Sequence, residues 1–141
     1  MDRRVLIVVL TVAVLGAGAF YLFRLRTGKP NPGTLTIQMN DYSSSGQSGK
    51  ATISENNSKV TVMLELGGTE YDKPQPAHIH SGGCPRIGPV VFQLEDVIEG
   101  KSTTVLDTTM ADLLAKADQL DVNVHHSYDD FKTYTSCGDI K

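Results

Sequence analysis

The chain has 141 residues, 40% hydrophobic and 21% charged, with a formal net charge of −3. That length holds one domain plus an extra segment, and the composition is that of a globular protein. The two cysteines, Cys84 and Cys137, do not form a CxxC pair, which excludes a zinc ribbon or a thioredoxin-like redox motif.

The apolar residues are unevenly spread. Val5 to Phe23 runs 19 residues without a charge, with Asp2, Arg3 and Arg4 before it and Arg24, Arg26 and Lys29 after it. As a helix it would reach about 28 Å, close to the hydrocarbon thickness of a bilayer. It is long for the apolar core of a cleaved signal peptide. We therefore expect residues 1–26 to be an N-terminal transmembrane anchor, partnering the membrane through residues 5–23. Cleavage near Ala17-Gly18-Ala19, which would release the rest, is the alternative. The domain would lie outside the cytoplasm, at a cell surface or in a periplasm. Residues 27–33 (TGKPNPG) read as a linker. From residue 30 onward there are 8 basic against 15 acidic residues, which argues against a nucleic-acid partner. An export signal and an even cysteine count point to one structural disulfide, with two buried free thiols as the alternative.

Residues 34–141 read as strands. Leu35, Ile37 and Met39 alternate with polar neighbours, Tyr42 to Gly49 reads as a loop, and Ala51 to Ser54 as a short strand with a hairpin turn at Asn56-Asn57. Val60, Val62, Leu64 and Leu66 give the clearest alternation. Val90 to Leu94 is a candidate buried strand, and Thr103 to Leu106 another. Thr109-Met110-Ala111-Asp112 has a capping-box pattern that opens a predicted helix over Met110 to Gln119. Val122 to His125 and Tyr134 to Ile140 are the last strands. The pattern predicts an all-β Greek-key antiparallel sandwich with one short helix.

Chemistry concentrates at Ala77-His78-Ile79-His80. Alternation puts both imidazoles on one face of a strand and two apolar groups on the other. Val122 and Val124 likewise leave Asn123 and His125 on the opposite face. Three histidines from two strands can hold one transition-metal ion, and imidazole suits copper and zinc. His126 becomes a fourth ligand only if the strand bulges there. Asn123 and Ser81 are candidates for orienting an imidazole. No carboxylate lies within two residues of the His78/His80 pair, which disfavours hydrolytic zinc catalysis.

The order His78-Ile79-His80, Cys84, Val122-Asn123-Val124-His125, Cys137-Gly138 resembles that of copper–zinc superoxide dismutases. The chain is also similar to CHRD domains, known from chordin and many bacterial exported proteins. Their motifs read here as Ala77 to Gly82, Ile87-Gly88-Pro89-Val90-Val91 and Asn123-Val124-His125. These resemblances imply an eight-stranded Greek-key sandwich, a Cys84–Cys137 bridge and copper ligation by His78, His80 and His125. They also mark departures. No histidine occurs from 81 to 124, so no zinc site is expected, and Tyr134 stands where dismutases carry a guiding arginine. Arg86 is the only basic residue next to the motif. Two functions follow as expectations: a copper-binding exported domain with superoxide-related redox activity, or a non-catalytic CHRD-type surface domain without metal.

Overall fold

The computed structural model describes residues 33–140 except residue 70. The expected anchor over residues 1–26 lies outside them. Among the described residues no helix is long and apolar enough to cross a membrane.

Eight strands form: β1 (Thr34–Asp41), β2 (Gln47–Asn56), β3 (Lys59–Gly68), β4 (Ala77–Gly83), β5 (Arg86–Gln93), β6 (Lys101–Leu106), β7 (Leu120–His125) and β8 (Tyr134–Ile140). One helix, α1 (Met110–Leu114), lies between β6 and β7. The strands make one antiparallel sheet in the order β5-β4-β7-β8-β1-β2-β3-β6. The described residues are therefore all-β with a single short helix, as expected. β1 joins the two halves of the sheet. Thr34 to Met39 pair with β2, whereas Asn40 and Asp41 pair with Cys137 and Ser136 of β8.

The core follows from strand alternation. Inward residues of β1, β2 and β3 (Ile37, Met39, Ala51, Ile53, Val62, Leu64) meet those of β4 and β7 (Ala77, Ile79, Val122, Val124) in one cluster. Both halves of the sheet thus curl around the same apolar interior, and each buried Val, Leu, Ile or Met there contributes about 1.5–3 kcal/mol.

Three local expectations need correction. The predicted helix over Met110 to Gln119 is a single turn. Thr109 caps it, its hydroxyl accepting from the Asp112 amide at 3.1 Å. Only Leu113 of its residues is buried, while Leu114 is 37% exposed. With no continuous apolar stripe, and with Asp118 set against the negative end a longer helix would have, the chain extends into β7 instead. Strand β2 begins at Gln47, inside the expected loop, because a polar residue is buried there. Gln47 and Gln75 exchange side-chain hydrogen bonds of 2.8 and 3.2 Å. Of the expected buried strand at Val90 to Leu94, Val90 to Gln93 end β5, an edge strand in which Val90 is 51% exposed, and Leu94 just beyond it is buried.

Two glycines place the cysteines. Gly82 has φ 101°, and a Cβ there would lie 2.5 Å from the Arg86 carbonyl oxygen across the β4–β5 turn. Only glycine allows that turn, which carries Cys84. A Cβ on Gly138 would lie 2.5 Å from the Gln38 carbonyl oxygen, so the residue after Cys137 must be glycine for β8 to approach β1. Cys84 and Cys137 form a disulfide, with Cα atoms 6.1 Å apart.

Candidate metal centre

Ala77 and Ile79 point into the core with no exposed surface, which fixes the opposite face of β4 for His78 and His80. Strand β7 runs antiparallel beside it, pairing His78 with Asn123 and His80 with Asp121. Cross-strand partners share a face, so Asp121, Asn123 and His125 line up along the two imidazoles. A register shift against β8 between Val124 and His125 accompanies the placement of His125 at the end of this row. All three histidines are buried, at 2, 5 and 1% exposure for His78, His80 and His125. Each offers one ring nitrogen within 4.8 Å of the other two.

Hydrogen bonds decide which nitrogens these are. The Gly88 carbonyl lies 2.6 Å from His80 Nδ1, and the Phe131 carbonyl lies 2.5 Å from His125 Nδ1. A carbonyl only accepts, so both Nδ1 atoms carry hydrogen and both Nε2 atoms carry lone pairs. His80 Nε2 is buried without any partner. His78 Nε2 sits 2.9 Å from Gln93 Oε1, which likewise leaves a lone pair on Nδ1, 3.0 Å from His125 Nε2. With Gln93 Oε1 accepting from His78 Nε2–H, three bare nitrogens converge, each on a ring whose other nitrogen is tied to an oxygen. That is the outer arrangement metal-ligating histidines adopt.

Burial favours the neutral form of two of the rings. It lowers the pKa of His78 and pushes that of His125 down to about 4, the hydrogen bonds to Gln93 and Phe131 opposing it only in part. Neutral imidazole is the form that ligates. Phe131 stacks on His125 at 4.0 Å between ring centroids and meets His78 edge-on at 5.6 Å. Tyr134 leans on His125 from 4.6 Å. Aromatic rings therefore close the site on the side of the 126–133 loop.

The other candidates stand apart. His126 packs against Tyr71 at 5.1 Å, with its Nδ1 3.4 Å from Asp130, and does not join the cluster. Asn123 donates to Asp121 Oδ1 at 3.1 Å and Ser81 to the Pro89 carbonyl at 3.3 Å, so the oxygens that orient the imidazoles belong to Gln93, Gly88 and Phe131 instead. Arg86 is exposed at the start of β5.

Asp121 escaped the sequence reading, which looked for a carboxylate only next to the histidine pair. It is fully buried opposite His80, its Oδ2 has no partner, and burial pushes its pKa up to about 6. The signal was available, since Asp121, Asn123 and His125 alternate on one face of β7. Asp121 also lies beside the disulfide, 3.8 Å from Cys137 Sγ. The sulfurs there are bonded to each other, so Cys84, Cys137 and Asp121 offer no thiolate site.

The donor set fits a transition metal. Nitrogens 3.0 Å apart can share an ion at bond lengths of about 2.0–2.1 Å, and the partnerless lone pair of His80 is what an ion would satisfy.

Among known families, the CHRD domain matches residues 34–128. No curated protein and no solved structure matches the chain. The dismutase resemblance thus stays at the level of motif order, and the β-sheet domain with its three converging histidines belongs to the CHRD family.

Proposed function

We propose that this protein is a membrane-tethered CHRD domain, working outside the cytoplasm, that binds one copper ion through His78, His80 and His125. The observation that carries the reading is the convergence of three histidine ring nitrogens in a buried site, with His80 Nε2 satisfied by nothing else. The disulfide and the family favour an oxidising, extracytoplasmic compartment. The apolar run of residues 5–23 favours the tether.

Copper bound there would supply one-electron chemistry. The chain's part is to present neutral imidazoles, fix their tautomers through carbonyl oxygens and limit water with Phe131. Superoxide is the substrate that the dismutase resemblance implies. The acidic domain and Tyr134 in the place of a guiding arginine weigh against fast capture of an anion.

The test is copper titration of the full chain in detergent, followed by electron paramagnetic resonance. One copper per chain is expected, with nitrogen ligation, and His80→Ala should abolish it. Stoichiometric binding that survives each of the three single His→Ala changes would sink the site.

One observation favours the second reading, a metal-free surface domain. The His78 and His125 rings already touch at 3.0 Å, so the pair can close on itself. Protein purified without added metal whose melting temperature ignores copper would support that reading, because a ligand present at 100 times its Kd stabilises the folded state by about 2.7 kcal/mol.

A further inference from the structure

Three contacts of the His78–His125 pair need hydrogens: His125 Nδ1 to the Phe131 carbonyl, His78 Nε2 to Gln93 Oε1, and His78 Nδ1 to His125 Nε2. Two neutral imidazoles carry only two N–H groups. A third would make one ring an imidazolium, a charge that two rings at 2 and 1% exposure would have to bury. One contact is therefore short of a proton. Either something other than a proton lies between His78 and His125, or one of the outer contacts reverses. The Phe131 oxygen is a backbone carbonyl and can never donate. Gln93 can, because its amide carries an oxygen and an NH₂ at the same reach. Gln93 is exposed, so its amide is free to turn.

We propose that Gln93 is a positioning residue that selects the tautomer of His78 and so opens or closes the copper site. In the closed state the Gln93 amide donates to His78 Nε2, and His78 Nδ1–H donates to His125 Nε2. All contacts are satisfied without metal. In the open state the amide has turned half a rotation, its oxygen accepts from His78 Nε2–H, and Nδ1 is bare for the ion. One proton moves between the two nitrogens of one ring by exchange with water, and net charge is unchanged. His80 and His125 cannot switch in this way, because backbone carbonyls hold their Nδ1–H groups.

The role of Gln93 rests on the copper reading only for its purpose; the tautomer is measurable without metal. The experiment is ¹⁵N NMR of the histidine side chains in the full, metal-free chain, for wild type, Gln93→Glu and Gln93→Leu, with copper(I) affinities measured against a competing chelator. In wild type the His78 proton should sit on Nδ1 without metal and on Nε2 once copper(I) is added. Glutamate, which only accepts, should hold it on Nε2 without metal. Leucine should leave it on Nδ1 and weaken copper(I) binding about 10–100-fold. A His78 tautomer that is the same in all three metal-free proteins overturns the proposal. If wild type binds no copper(I) while the tautomer still follows residue 93, the copper reading falls and the positioning role stands.

Discussion

At the scale of single residues, the buried carboxyl of Asp121 makes a prediction about pH. Its folded pKa, about 6, exceeds the unfolded value of about 3.9. The folded state therefore binds the proton more tightly, and stability is lost as pH rises from about 4 to about 6. The histidines act in the opposite sense. His125 falls to about 4 when folded, against about 6.5 unfolded, so its contribution is lost as pH drops through that window, and His78 is shifted the same way. His80 and Asp139 are the titratable neighbours that modify Asp121, its hydrogen bond from Asn123 aside. Wild type should thus show a shallow profile between pH 4 and 6.5. Asp121→Asn removes one of the opposing contributions, so urea unfolding of the metal-free variant should show stability falling steeply as pH drops below 6.5. The gap to wild type should grow towards neutral pH to at most about 3 kcal/mol. Parallel profiles for the two proteins would refute this. The three histidines were legible because alternation alone fixes their faces. Gln93 and Phe131 were not, since β5 is irregularly paired with β4 and the 126–133 loop has no periodicity to read.

Among the elements, the strands were legible wherever apolar and polar residues alternate, as in β3 and β7. The reading failed where burial and polarity part company: at Gln47, whose amide is paired inside, and at Val90, whose apolar side chain lies on an edge. Helix α1 failed for a third reason, since a capping signal starts a helix but only a packed face continues it. Its single turn buries one side chain, Leu113, and packs half-buried Met110 against the core. Leu113→Ala should therefore cost about 2–5 kcal/mol in chemical denaturation, and Leu114→Ala, one position on and 37% exposed, less than about 0.5 kcal/mol. Equal losses would mean that Leu114 packs as firmly as Leu113.

For the molecule as a whole, the two cysteines were readable as a pair from the expected export signal and their even number. The way β1 hands over from β2 to β8 was not, because register between distant strands leaves no local trace. The bridge joins positions 53 residues apart. In the chain-entropy model its loss costs about 4 kcal/mol.

Only Asn40 and Asp41 are laddered to β8, and both ends of the bridge belong to the histidine-bearing half of the sheet. A seam so short invites the two halves to open as separate cooperative units. Native-state amide exchange should show it: reducing the bridge ought to quicken deuterium uptake in β4, β7 and β8 while β2 and β3 keep their protection, and uniform acceleration would mean the halves open together.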